Sequence, residues 1–434
     1  MRTVKNIFAL LVMSCTMVFA QQTPAPAQSE IITISGATAH IGNGEVIENS
    51  IIIMQDGKIV NCVDATKSKI ALQGKIIQAE GKHVYPGFIA PYTTLGLQEI
   101  GAVRATNDTR EIGQMNPHIR SLIAYNAESK IVESMRPNGV LIGQTTPRGG
   151  TISGTSSIVQ FDAWNWEDAA IKADDGIHMN WPNSFSRGRW WLGEAPGLKV
   201  NKNYGKSVAT IEAFVAESKA YLNGSRSVTN LQYEAMAGLF DGSKKLFINV
   251  NDEKGIRDAI DFHKKHGIKS MVIVGGYQAI KVADHLKANN IHVLAQRVHR
   301  TPNNDDDDYD YPFKMAKLLT DAGVLVGLQN SGQMERANAR NLPFQAGTVA
   351  AHGMKKEQAL MLITSNNAKI LGIDDRLGTL EVGKDATLFI SEGDALDMRT
   401  NILSHAFING REISLQSHQT NLWKRYAKKY GQMD

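Results

Sequence analysis

Residues 246–295 run LFINVNDEKGIRDAIDFHKKHGIKSMVIVGGYQAIKVADHLKANNIHVLA, three short apolar segments separated by two helical patterns. Leu246 to Val250 is the first apolar segment. Ile256, Ala259, Ile260 and His263 then fall at i, i+3, i+4 and i+7, the spacing that gathers side chains on one helix face. Ser270 to Val274 is the second segment. Ala279, Val282, Ala283 and Leu286 repeat the helical spacing before Ile291 to Ala295 closes the stretch. The alternation continues with a helix marked by Met315, Leu318, Leu319 and Ala322, then a strand at Val324 to Leu328. Strands alternating with helices imply parallel strands joined by right-handed crossovers. Over a chain of 434 residues the pattern predicts an α/β fold with a closed, TIM-like (β/α)8 barrel rather than an open sheet. Chemistry in such barrels sits at the C-terminal ends of the strands.

Upstream, Gly139 to Thr146 reads as an early barrel strand, the Gly/Thr/Ser-rich run Gly149 to Ser157 as a loop, and Ala209 to Leu222 as a helix. Trp164, Trp166, Trp181, Trp190 and Trp191 crowd this half; packing, or the floor of a pocket, is their expected role. Residues 31–85 have strand character throughout. Gln55-Asp56-Gly57 joins two apolar runs, and Asp-Gly there predicts a hairpin turn, whose two central residues need positive φ. Strand character returns over 376–415, so a small β-sandwich assembled from both chain ends is expected beside a barrel spanning 86–375.

Arg2 and Lys5 precede an uncharged apolar run, Ile7 to Ala20, that ends in Val18-Phe19-Ala20 and gives way to the Pro-rich QQTPAPAQSE. This reads as a signal peptide over 1–20 followed by a flexible linker over 21–30, placing the mature protein in the periplasm or outside the cell. The run is short for a membrane span, which needs about 20 residues. Ser14-Cys15 resembles a lipoprotein box, which Met13 fits poorly. Cleavage after Ala20 leaves Cys62 alone, without an internal disulfide. A formal net charge of +4 gives no electrostatic case for nucleic acid, and no later apolar run approaches the length of a span. The tail over 416–434 is basic and aromatic, suited to a docked terminal helix or to contact with a partner.

Three segments together resemble the amidohydrolase superfamily, in particular its imidazolonepropionase-like branch. They are Asp56-Gly57-Lys58-Ile59, then Gly81-Lys82-His83-Val84-Tyr85-Pro86-Gly87-Phe88-Ile89, then Thr364 with Ala368-Lys369-Ile370-Leu371-Gly372 and Leu377-Gly378-Thr379-Leu380-Glu381-Val382-Gly383-Lys384-Asp385-Ala386. Their order and spacing span the chain from about Ile31 to Arg411. The resemblance implies the barrel flanked by a β-sandwich. It also implies a family reaction in which water activated by zinc or another divalent metal attacks the C–N bond of a cyclic amide, amide or dipeptide-like substrate.

The chain departs from that pattern where the metal is held. After Pro-Gly-Phe-Ile the family has Asp-x-His-x-His; here stands Ala90-Pro91-Tyr92-Thr93-Thr94, with Tyr92 and Thr94 at the histidine positions. Asn249 and Gly275 occupy the next two histidine positions, and Asn330 that of the aspartate that moves the proton. A carboxamide cannot take up a proton as a general base. No fourth-strand ligand can be aligned.

No substitute appears. His-x-His is absent among the 12 histidines. His263 and His266 share a helix face expected to be solvated. Asp305 to Asp308 with Asp310 form an acidic loop without calcium-loop spacing. His299 could face the pocket. Ser153, Ser156 and Ser157 have no identifiable base.

The expectation is therefore a metal-free protein with no catalytic residues and no cofactor. Its pocket would be lined by Tyr92, Thr94, Asn249, Gly275 and Asn330. It would bind a small amide or peptide-like ligand, or act as a subunit in a homo-oligomer or beside an active relative. The alternative is a working C–N hydrolase with a relocated metal or metal-free chemistry.

Overall fold

The computed structural model describes residues 23–188, 190–194 and 197–433. Residues 1–20, read in the sequence as a signal peptide, and Cys15 within them lie outside the described residues.

The N-terminal strands are Ile32–His40 (β1), Val46–Gln55 (β2), Lys58–Asp64 (β3), Lys75–Gln78 (β4) and His83–Pro86 (β5). The Asp56-Gly57 turn takes φ of 50° and 77°, the positive values its sequence asks for. Eight strands follow around a second sheet: Phe88–Thr93 (β6), Val140–Thr145 (β7), Ile152–Gln160 (β8), Ala170–Asn180 (β9), then, beyond a small hairpin of Phe185–Arg187 (β10) and Leu198–Val200 (β11), Lys245–Val250 (β12), Met271–Gly275 (β13), His292–Ala295 (β14) and Val326–Leu328 (β15). Leu388–Ser391 (β16), Leu403–Ile408 (β17) and Arg411–Glu412 (β18) complete the first sheet.

That first sheet runs β18-β17-β16-β5-β1-β2-β3, with β4 beside β1, so strands from both chain ends share one hydrogen-bonded surface. Ile34, Ile52, Met54, Val84, Leu388 and Phe407 are buried in its own core. The sequence segments that carry the family resemblance meet here. Ile59 N–H donates to Lys384 O, Gly383 N–H to Ile59 O and Ala386 N–H to Gly57 O. Lys58 Nζ lies 2.5 Å from Asp385 Oδ1, and Arg376 reaches the other oxygen of the same buried carboxylate at 2.7 Å. The segment after residue 22 is pinned as well: Ala25 N–H donates to Asp162 and Ala25 O accepts from Arg411.

The second sheet runs β15-β14-β13-β12-β9-β8-β7-β6 and curls into a nearly closed barrel. Its strands pair in parallel except β8, which is antiparallel to both β7 and β9. This corrects the loop expected over Gly149 to Ser157, most of which is buried strand. Its hydroxyls find partners: Thr155 donates to Pro117 O in the connection between β6 and β7, and Ser156 to Asp175 on β9. Satisfied in this way, a Ser/Thr run is stable in a core that would otherwise exclude it. β15 and β6 are not paired directly. The Leu362-Ile363 backbone bonds to both strands, and the buried Asn367 carboxamide donates to Ile89 O and Leu328 O across the seam.

Helices cover the outside where the periodicity placed them, as at Glu253–His266 and Tyr311–Asp321. His266 is buried against Phe262 on that helix rather than solvated. Of the tryptophans, Trp181 is buried, whereas Trp164 and Trp191 are exposed and floor no pocket in the barrel. The tail forms a helix, His418–Lys429, capped by Ser417 and Thr420; Ala427 is buried while Trp423, Tyr426 and Tyr430 are exposed. Among the described residues no helix is long and apolar enough to cross a membrane.

Candidate functional site

β6 delivers Tyr92 and Thr94 to the C-terminal mouth of the barrel, but not on an ordinary strand. Its pairing with β7 slips between Ala90 and Thr93, and Tyr92 takes φ of 50°, an uncommon conformation for a bulky residue. The Gln144 side-chain carbonyl compensates by accepting the Tyr92 N–H at 3.0 Å. The Arg148 guanidinium then lies 3.7 Å over the Tyr92 ring and donates to Tyr92 O at 2.9 Å. Glu335, also buried, accepts from Thr93 Oγ1 (2.9 Å) and Thr94 N–H (2.6 Å) through one oxygen and from Arg148 (3.3 Å) through the other. A cation–π contact and a buried ion pair thus occupy the end of the first barrel strand.

The remaining strand ends are dominated by carboxamides. Asn249 donates to Asn180 Oδ1 at 3.2 Å, and Asn180 donates in turn to Gly150 O. Asn180 closes β9, the fourth strand of this sheet counted from β6, directly opposite Asn249. Gly275 has φ of 94°, and a Cβ there would sit 2.6 Å from Asn251 Oδ1, which accepts from Gln296. Asn330 accepts from Gln345 at 2.6 Å, while its own amide nitrogen is buried without a partner. None of Tyr92, Thr94, Asn249, Gly275 and Asn330 lines the large groove at this face. That groove, about 1290 Å³, lies over the loops after β9, β12, β13 and β14.

Deeper in the barrel, Ser156 Oγ lies 2.8 Å from His178 Nε2 and 2.7 Å from Asp175 Oδ1, so the serine does have an imidazole neighbour that its sequence context did not reveal. All three are buried. The aspartate holds the serine rather than the histidine, which is not the order of a nucleophilic triad. Burial keeps His178 well below its usual pKa, hence neutral, and raises that of Asp175 against the hydrogen bonds from Ser156 and Gln144. His178 stacks on Phe247, with ring centroids 4.7 Å apart. This is a core polar network without access for a substrate.

The residues at the mouth do not fit a divalent metal. They are neutral amides, a threonine, a tyrosine under a guanidinium and one carboxylate with both oxygens engaged. Among the described residues no group of three or more His, Cys, Asp or Glu converges as a ligand set. His299 is exposed and bonded to Thr348 Oγ1, away from the mouth. The acidic loop is largely exposed as expected, with Asp307 accepting from Tyr277. Arg148 and Glu335 were not foreseen. They lie 187 positions apart, and no spacing rule joins them.

Residues 233–413 match the sequence model of the Amidohydrolase family. A curated relative, "Amidohydrolase tasK" of Hapsidospora irregularis, is 33% identical over 123 residues, which cover 25% of this chain and only 12% of that much longer protein. An amidohydrolase from Thermotoga maritima superposes with a TM-score of 0.76 at 22% identity, covering 88% of this chain and 99% of its own. A molinate hydrolase gives 0.53 at 15% identity (89% and 95% covered), and an Xaa-Pro dipeptidase with bound methionine 0.51 at 14% (88% and 99%). These structural likenesses establish the architecture across nearly the whole described chain. The sequence match covers the later barrel strands and the return into the first sheet, and over those residues the chain is similar to the Amidohydrolase family.

Proposed function

We propose that this protein is a catalytically silent, metal-independent member of the superfamily that binds a small amide or peptide-like ligand, alone or as a companion subunit to an active relative. The observation that carries this reading is the Arg148–Tyr92–Glu335 assembly. A fixed positive charge lies against one ligand position, and the one carboxylate nearby already serves it. A divalent cation brought there would meet like charge and no free anionic ligand. Without a gripped metal, water at neutral pH lacks the activation the family reaction needs.

The amides at Asn180, Asn249, Asn251, Gln296 and Asn330 support binding over catalysis. They offer donors and acceptors to an amide-bearing ligand but no group that can carry a proton. The peptide-like class also suits the fold neighbours, one of which is an Xaa-Pro dipeptidase. Export fits the basic-then-apolar N-terminus, and N-terminal sequencing of the secreted form should begin at Gln21.

Elemental analysis of the mature protein after dialysis tests the central reading. The expected result is substoichiometric zinc, manganese and iron, with no hydrolysis of amide or dipeptide substrates when these metals are added back. Stoichiometric metal that survives dialysis would favour the working-hydrolase alternative.

A further inference from the structure

The groove over the loops after β9, β12, β13 and β14 holds six charged side chains whose internal pairing leaves an imbalance. Lys254 pairs with Asp258 at 2.8 Å, and Arg257 with Glu253 at 3.0 Å. Asp252 faces the N-terminus of its own helix, where it accepts from Gly255 N–H and from Ser184. Arg300 has no acidic partner among the described residues. Its Nε donates to Thr301 O, and its two terminal nitrogens donate to Gln296 Oε1 and Asn303 Oδ1, all neutral oxygens. One N–H on each terminal nitrogen is left over.

Those neutral partners fix the guanidinium without cancelling its charge. Tyr277 stands beside it, with Arg300 Cζ 5.5 Å from the ring centroid. The ring is itself anchored: its hydroxyl donates to Asp307 at 2.6 Å and accepts from Asn303 N–H at 2.9 Å. Pro182, Phe185 and Leu198 add apolar wall to the same groove. A planar, pre-positioned guanidinium with two spare donors matches the two oxygens of a carboxylate, and it gains strength because the pair is charge-assisted.

We propose that this groove is the ligand site and that it takes the carboxylate end of a peptide-like molecule, an N-acyl amino acid or short peptide, with Arg300 as the carboxylate receptor. This deepens the ligand-binding reading and rests on it. It also moves the site outward, from the degenerate metal positions to the loops around them.

Calorimetric titration of the full mature chain with N-acetyl derivatives of glycine, leucine and phenylalanine, each as the free acid and as the C-terminal amide, tests the assignment. At least one acid should bind about tenfold or more tightly than its amide, the ratio that 1.4 kcal/mol of charge-assisted contact produces. R300Q should abolish that preference and R300K should keep part of it, with unfolding of the unliganded variants unchanged. Equal binding of acid and amide, or a preference that survives R300Q, would overturn the carboxylate assignment while leaving a ligand-binding protein. Inorganic phosphate binding as tightly as the acids would likewise overturn the carboxylate assignment, leaving a general anion site. No binding of any acid at millimolar concentration would also overturn the proposal, whereas the metal analysis decides the metal-independent reading separately.

Discussion

Gly275, which the sequence resemblance sets at a histidine position, shows at single-residue scale why a side chain is not simply placed there. Its φ of 94° is strained for any residue with a Cβ, and that Cβ would strike Asn251 at 2.6 Å. Gly275→His should therefore cost about 1–3 kcal/mol or more, seen as a lowered urea midpoint, without raising zinc affinity. Glu335→Ala strips the carboxylate from beneath Arg148 and leaves three donors on Thr93, Thr94 and Arg148 short of an acceptor. A loss of about 3 kcal/mol is expected in denaturant unfolding, as for other broken buried pairs. Tyr92, Thr94, Asn249, Gly275 and Asn330 could be singled out in the sequence because each ends a strand or follows a segment that resembles the family's. Arg148, Glu335 and His178 could not, because their meeting depends on how strands far apart in the chain are brought together.

At the scale of elements, reading succeeded where periodicity was clean. The strands and helices from 246 to 328 lie within a few residues of their predicted places, because apolar runs and helical spacing there are uninterrupted. β8 escaped because its Gly, Ser and Thr residues lack the apolar signature of a buried strand; its stability comes from partners on β7 and β9 that only the fold supplies. Ser156→Ala should accordingly destabilise the protein by about 1–3 kcal/mol, through an Asp175 carboxyl and a His178 imidazole left short of partners. The Lys58–Asp385–Arg376 cluster makes the same point for the family motifs. Their residues join the first hairpin to the final sheet strands, so their persistence speaks for architecture rather than chemistry. Asp385→Ala should cost about 3 kcal/mol by the same unfolding measurement.

At the scale of the whole molecule, several buried or half-buried imidazoles are held towards their neutral form. Burial lowers the pKa of His83, His178, His263, His266 and His292, that of His292 to about 4. An unfolded chain, with histidines near 6.5, then binds more protons than the folded one between about pH 4 and 6.5, so stability must fall as pH falls through that window. Thermal unfolding should show a midpoint that declines below about pH 6.5, and His292→Gln should flatten the decline.

Asn367 carries one further consequence. A barrel whose first and last staves are joined through a carboxamide and a borrowed stretch of backbone has a preferred place to come apart. Deuterium uptake by the amides of Ile89 and Leu328 should outpace that of the continuously laddered β12 and β13. Conversion of Asn367 to aspartate by slow deamidation would remove both donors at once, so ageing of the purified protein should begin as an opening of this clasp.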